Sequence, residues 1–372
     1  MLLDVTKVVV FALGVGLVAE TLFSAIRTFV LPRSVYDRIA RAVFLAMRRV
    51  FDLLLVGRGD YRARDQVMAL YAPVSLLALD ATWLALVELG YVGMYWALGA
   101  RSWSAAFTLS GSSLLTLGFA TDPGVAGSLL VFSEAMIGLT LVALLIAYLP
   151  TIYTSFSRRE AMVTLLEVRA GSPPSPIAML ERFHRIAGLE QLHQMWLAWE
   201  TWFADVEETH TSLAVLTFFR SPRSDRSWIT AAGTILDAAA LAASTLDVPR
   251  DAQADLCIRA GFIALRHIAD VYQFTYDLTP QPGDPISITR AEFDAAYEHM
   301  AQAGLPLKPD REQAWRAFAG WRVNYDRVLL ALASLLMAPP GAMWSSDRMP
   351  ARKLPPLLHV GAIVRGTRAS RH

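Results

Sequence analysis

The chain has 372 residues, 54% of them hydrophobic and 18% charged, with a mean hydropathy of +0.38. Soluble domains carry about 25% charged residues, so part of this chain is expected in a bilayer. The net charge of +1 argues against nucleic acid as a partner, because neutralising phosphates takes a clustered basic surface. A single cysteine, Cys257, excludes an internal disulfide and any cysteine-based metal site; it reads as a small buried apolar residue.

The apolar excess lies in residues 1–156, and residues 157–372 have the composition of a soluble helical domain. A bilayer span needs about 20 mainly apolar residues. Val5–Leu31 is the first such stretch. Asp4 and Lys7 give no basic leader and no small-residue cleavage site follows, so it reads as a retained anchor. Residues 34–56 come next. Tyr36, Ile39, Val43, Phe44, Met47, Val50, Phe51 and Leu54 recur at helical spacing, with Asp37, Arg41, Arg48 and Asp52 on another face. That pattern predicts an amphipathic helix along a membrane interface rather than a fourth span.

Val67–Leu98 and Val125–Phe156 are the other two expected spans. Eight arginines lie between Arg33 and Gln66, whereas the connection between these two spans has only Arg101. By the excess of basic residues on the inner side, the arginine-rich segment is cytoplasmic, the connection is external, and the chain from Arg158 onward is cytoplasmic.

The connection itself is informative. After Arg101 comes SWSAAFTLSGSSLL, 14 residues, helical in character and too short to cross. Thr116 to Asp122 follow, and Pro123-Gly124 forms a turn pair. A short helix, an irregular segment and a turn between two spans predict a re-entrant loop. Irregular backbone at membrane depth is tolerated only where protein buries it or water reaches it, which points to a pore lining. Stacked carbonyl oxygens there replace the hydration shell of a cation, and the negative end of the short helix favours positive charge.

The unit span–short helix–Thr116-Leu117-Gly118-Phe119–span resembles the pore module of the tetrameric potassium channel superfamily, whose filter reads Thr-Val-Gly-Tyr-Gly. Thr116 and Gly118 match it, Leu117 and Phe119 are mild changes, and Ala120 stands in place of the second glycine. If that place requires positive φ, alanine is strained there. The resemblance covers residues 67–157 and implies a filter of Thr116, Leu117, Gly118, Phe119 and Ala120, supported by Ser112, Ser113 and Glu134. It implies an inner-helix hinge at Gly138, a homotetramer around one axis, and a permeant monovalent cation, potassium above others, with no cofactor. Leu149-Pro150 before Arg158-Arg159 resembles the cytoplasmic end of such inner helices.

Charges inside the spans are expensive and usually functional or paired. Glu134 is placed to hydrogen-bond the filter backbone or Ser112. Asp80 and Glu88, and Glu20 and Arg27, fall near common helix faces.

From Arg158 the pattern is helical, with helices expected at 158–169, 175–187, 189–220, 227–246, 251–277, 289–304 and 309–337. No strand–GxGxxG–helix unit occurs, so a dinucleotide-binding regulator domain is not expected. Glu207 with His210, and His267 with Asp270, have metal-type spacing, but 7 histidines and 33 acids produce such pairs by chance. Trp196, Trp199, Trp202 and Phe203 read as a helix core face. Residues 339–372 read as a loose basic tail.

The expected organisation is an all-α membrane protein and not an enzyme. Residues 1–66 hold the extra N-terminal span and the interfacial helix. Residues 67–157 hold the two-span pore module: outer helix 67–98, pore helix and filter 102–122, inner helix 125–156. Residues 158–338 form the helical cytoplasmic domain, and 339–372 the tail. The expected partners are further copies of the chain and membrane lipid, with any gating ligand or protein unidentified. Two alternatives stay open. One is a non-conducting receptor or scaffold that reuses the pore fold, which Ala120 favours. The other is a membrane-anchored metal-dependent enzyme using Glu207 and His210.

Overall fold

The computed structural model describes residues 2–31, 37–57, 59–122 and 124–339, and these are helical without a named strand. Tyr36, Arg33, Arg58, Pro123 and the basic tail from residue 340 lie outside the described residues. Three helices are long and apolar enough to cross a membrane: Leu3–Phe29, Tyr61–Leu98 and Val125–Ala170. The chain divides into two compact units, Met1–Thr164 with Glu208–Ser224, and Leu165–Glu207 with Asp225–His372. The change in composition marks a boundary near residue 157. The division instead lies inside a helix, and a stretch from the second half returns to the first unit.

In the first unit, α1 (Leu2–Phe29) crosses α4 (Tyr71–Leu98) at a pair of glycines. A β-carbon on Gly14 would stand 2.5 Å from the Gly90 carbonyl oxygen, and one on Gly90 would stand 2.9 Å from that of Gly14. Small residues at such a crossing let two backbones approach, which is how apolar helices gain contact without a hydrophobic driving force. Lower on the same pair, Trp83 Nε1 donates to Ser24 Oγ at 2.9 Å, and Ser24 Oγ donates to Asp37 at 2.7 Å. Asp37 also accepts from the Ala40 amide at 2.7 Å, so one carboxylate ties α1 and caps α2 (Arg38–Leu54).

The inner faces of α2 pack on α4 through Phe44, Phe51 and Tyr71, and the Tyr71 hydroxyl donates to the Phe44 carbonyl at 3.1 Å. Asp60 caps the short α3 (Tyr61–Ala69), which leads into α4. Gly99, at φ +113, ends α4. Ser102 caps α5 (Trp103–Leu114).

The longest element is α6 (Val125–Ala170), 46 residues without interruption, about 69 Å at 1.5 Å per residue. The helix expected at 158–169 is its continuation. Glu134, Gly138, Leu141, Leu145, Tyr148, Ile152, Ser155 and Arg159 form one buried stripe along it. Val125, Leu129, Phe132, Met136, Leu139, Ile146 and Tyr153 form an exposed apolar stripe.

Near its lower end Arg159 is 1% exposed. It donates to Glu160 at 3.0 Å, to the carbonyls of Leu216 and Phe219 at 3.0 and 2.7 Å, and lies 3.1 Å from His210 Nε2. That set of bonds holds the returning stretch 208–224 in the first unit. Val215 and Leu216 there join Ala72, Leu76, Tyr148 and Ile152 in one apolar cluster, and Arg220 pairs with Asp65.

The second unit contains α7 (Pro176–Arg185), most of α8 (Leu192–Ser212), α9 (Trp228–Thr245), α10 (Ala252–Val271), α11 (Arg290–Gln302), α12 (Arg311–Arg322) and α13 (Asp326–Leu336). Its centre is α9, an alanine-rich helix buried all round. Trp196, Trp199, Trp202 and Phe203 pack as core on α8, with Trp199 and Trp202 ring centroids 4.6 Å apart. Gly261 of α10 admits Leu236 and Phe203 to within 2.9 Å of where its β-carbon would lie. Cys257 is fully buried, and burial pushes its thiol pKa up.

The helix expected at 309–337 breaks between α12 and α13. Asn324 Nδ2 donates to the Gly320 and Trp321 carbonyls, ending α12. Arg322 and Tyr325 turn into the core to meet Asp237 of α9. Arg322 also donates to Asp326 at 2.8 Å, and Asp326 accepts from the Ser287 amide and hydroxyl at 2.9 and 2.6 Å. Burial works against the charge of Arg322, and the carboxylates of Asp237 and Asp326 more than offset it, so its pKa stands above the usual arginine value.

Candidate functional site

The segment after α5 is the least regular backbone in the first unit. A helix leaves its last carbonyls without partners. Here the following loop supplies them. The Leu115 amide donates to Gly111 at 3.2 Å and the Thr116 amide to Ser113 at 2.9 Å. The Leu117 and Gly118 amides both donate to Ser112, at 2.8 and 3.2 Å. The Ala120 amide donates to Ser112 Oγ at 3.0 Å. The loop is therefore curled over the C-terminal end of α5 with its N–H groups turned inward.

Thr116 has φ +55 and Gly118 has φ +71. Positive φ suits glycine and strains a β-branched threonine, by about 1–3 kcal/mol. Positive φ at every second residue gathers neighbouring N–H groups on one side of the segment. Among the described residues no donor reaches the carbonyl oxygens of Thr116, Leu117, Gly118 or Phe119. The result is an exposed segment in which the carbonyls of residues 116–119 meet no donor among the described residues, while the amides of residues 115–118 and 120 bond back to α5. An edge of that kind attracts cations and repels anions.

Ala120 does not share the positive φ of Thr116 and Gly118. It carries no left-handed strain, because its peptide is pinned by Ser112 and its side chain packs against the core. The acceptor run thus ends one residue short of the five-residue filter expected from the sequence. Asp122 closes the loop. It accepts from the Gly124 amide at 2.8 Å, its carbonyl accepts from Ser128 Oγ at 3.2 Å, and Gly127 leaves room for its carboxylate.

The residues expected to back the loop are distributed differently. Ser112 bonds to it directly. Ser113 Oγ donates to the Leu109 carbonyl of its own helix at 2.8 Å. Glu134 is fully buried, but its carboxylate accepts from Ser110 Oγ at 2.5 Å and Tyr95 hydroxyl at 2.8 Å, not from Ser112 or the loop backbone. It joins α6 to α4 and α5 behind the loop. Tyr91 and Ser133 pair beside it at 2.8 Å, and Ser110 Oγ also lies 3.3 Å from the Glu88 carbonyl.

Gly138 sits inside an unbroken helix. A β-carbon there would lie 2.2 Å from the Leu114 carbonyl oxygen, so its smallness lets the end of α5 seat against α6. Asp80 is buried on α4, and Glu20 faces Arg27 at 3.8 Å on α1.

The two metal-type pairs in the second half do not assemble. His210 meets Arg159, Asp270 accepts from the Tyr276 hydroxyl at 2.9 Å, and His267 pairs with Glu207 at 2.6 Å. Among the described residues no three histidine, cysteine or acidic side chains cluster as metal ligands.

The chain matches no protein-family model, no curated protein and no solved structure.

Proposed function

We propose that the chain is one subunit of a cation channel whose copies surround a common axis, with the carbonyls of Thr116, Leu117, Gly118 and Phe119 lining the narrowest passage. The observation that carries this reading is the one-sided loop: the amides of residues 115–118 and 120 bond back to α5, and among the described residues no donor meets the carbonyls of residues 116–119. Such an edge is unstable against lipid, where each unpaired polar group costs several kcal/mol. It is stable against a dehydrated cation and against water. Replacing a hydration shell by backbone carbonyls is how a pore passes monovalent cations.

The exposed apolar stripe of α6 supports assembly. With Val142 and Leu149, which are also exposed, its residues recur every three or four positions from Val125 to Tyr153, the spacing of a helix seam. One loop per chain needs several copies to close a ring, and closed rotational symmetry is the rule for identical subunits. Four copies, potassium as the favoured ion, and a cytoplasmic second unit that assembles or gates the pore follow from the resemblance of the loop. The membrane on this reading is the plasma membrane. Glu134, Ser110 and Tyr95 brace α5 from behind, Ser112 fixes the loop, and Gly138 seats it.

A second reading, a non-conducting receptor or scaffold with the same fold, draws on Ala120. Its carbonyl turns toward Ser112 Oγ at 3.4 Å, which narrows the acceptor run.

Cation flux from liposomes holding the purified chain tests the proposal. Gly118→Ala places an L side chain at φ +71, about 1–2 kcal/mol of strain in the loop. Potassium flux that this change abolishes, with assembly intact, is the expected result. Unchanged flux removes the loop from the pathway. No flux from an intact wild-type assembly under any cation gradient favours the scaffold.

A further inference from the structure

The segment between α1 and α4 carries eight arginines against four acids, and each of the four acids has a partner within the fold. Asp37 is buried and holds Ser24 and the head of α2. Asp65 is buried and pairs with Arg220. Asp52 pairs with Arg48 at 3.3 Å, and the Arg48 guanidinium lies 5.9 Å from the Tyr71 ring centroid, so that arginine is also turned inward. Asp60 caps α3. Arg38, Arg49 and Arg62 are exposed and make no side-chain ion pair among the described residues. Asp37 and Asp65 are drawn into the fold, Asp52 is taken by Arg48, and the exposed Asp60 is held by its cap bond to the Ala63 amide.

The outward side of α2 has a second property. Arg38, Ala42, Ala46, Arg49 and Leu53 are exposed and follow one another at helical spacing, and Val50, Leu54 and Val56 are exposed beside them. Arg38 and Arg49 are about 16 Å apart along the helix axis. Water is a poor solvent for the apolar end of that stripe, and a hydrocarbon interior is a poor solvent for the arginines. A headgroup layer satisfies both, with alkyl groups dipped toward the acyl chains and guanidinium groups on phosphate.

We propose that the exposed face of α2, with Arg62 of α3, is a binding surface for anionic phospholipid headgroups. The proposal rests on the reading of α1, α4 and α6 as membrane spans and is independent of conduction. Charge complementarity selects the lipid. Zwitterionic headgroups offer the same phosphate but cancel its charge. Anionic headgroups leave it in place, and each surface arginine then contributes about fivefold in affinity.

The test uses the full chain purified in a nonionic detergent and titrated with short-chain phosphatidylglycerol or with phosphatidylcholine of the same acyl length. Bound lipid per chain is read by native mass spectrometry and the melting transition by tryptophan fluorescence. The expected result is selective retention of phosphatidylglycerol and a rise in melting temperature with it alone. R38Q/R49Q/R62Q lowers its apparent affinity by about a hundredfold, three arginines at the factor above. R316Q, an equal charge change on the exposed Arg316 of the second unit, leaves it unchanged. In 1 M salt, where the Debye length is about 3 Å, the preference disappears. Equal retention of the two lipids, or a triple variant that binds phosphatidylglycerol as wild type does, overturns the proposal. If the triple variant fails to fold, the three single variants decide by the same criterion: wild-type affinity in all of them overturns it.

Discussion

The two units bury a carboxylate in contrasting ways. Asp237 in the second unit meets a guanidinium, and that guanidinium meets a second carboxylate whose remaining lone pairs are taken by Ser287. Glu134 in the first unit meets two hydroxyls. The first arrangement is a closed charge network, in which every member depends on the others. The second can be satisfied by a neutral group of the same shape, because a hydroxyl both donates and accepts. The helices around them differ in the same sense. Nearly every residue of α9 is enclosed within its own unit, whereas α6 leaves a row of large apolar side chains uncovered. A helix enclosed all round belongs to a finished core, and one open along a seam awaits lipid or a partner.

Four substitutions bear on that contrast. The largest effect is expected from Asp237→Asn, which leaves the fully buried Arg322 short of a counter-charge and costs about 3–5 kcal/mol. Chemical denaturation followed by tryptophan fluorescence measures it, and a loss below about 1 kcal/mol would show that the network is not closed. Next is Gly138→Ala. Its methyl group would meet the Leu114 carbonyl at 2.2 Å, and the neighbour is backbone, so α5 must shift at a cost of about 1–3 kcal/mol. Flux should fall while helix content by circular dichroism stays constant.

Ser112→Ala removes the acceptor of the Ala120 amide. About 1–2 kcal/mol is expected from the lost bond, with faster hydrogen exchange confined to residues 115–120. Protection unchanged there would mean that Ser112 does not hold the loop. The smallest effect belongs to Glu134→Gln, which keeps a carbonyl acceptor for one hydroxyl and offers an amide to the other. Its stability should stay within about 1 kcal/mol of wild type. A loss as large as that of Asp237→Asn would erase the difference between the units.

Particular residues show how far the sequence reaches. The three apolar helices are visible in hydropathy because crossing a bilayer requires a long apolar run. The continuation of α6 to Ala170 is not visible, since Ser157-Arg158-Arg159 reads as an ending while backbone hydrogen bonds are indifferent to polarity. The break after Arg322 is also hidden, because it follows from Arg322 and Tyr325 reaching Asp237, 85 and 88 positions away.

At the candidate site, small and hydroxylated residues announce an irregular loop, and Ser112 lies where it meets that loop. The sequence does not reveal that Glu134 chooses Ser110 and Tyr95, because those partners are set by how three helices cross. Glu207 and His210 look like a ligand pair on one helix, yet His210 meets Arg159 and Glu207 meets His267. Spacing alone cannot show such exchange of partners.

The central claim is that the outward carbonyls of residues 116–119 face a cation between copies of the chain. The most direct measurement is a structure of the assembled protein in potassium, at a resolution that shows bound ions. The account predicts copies related by a rotation axis, with these carbonyl oxygens turned to the axis and ion density between them. A carbonyl edge covered by protein or facing lipid, with no ion density beside it, would contradict the account.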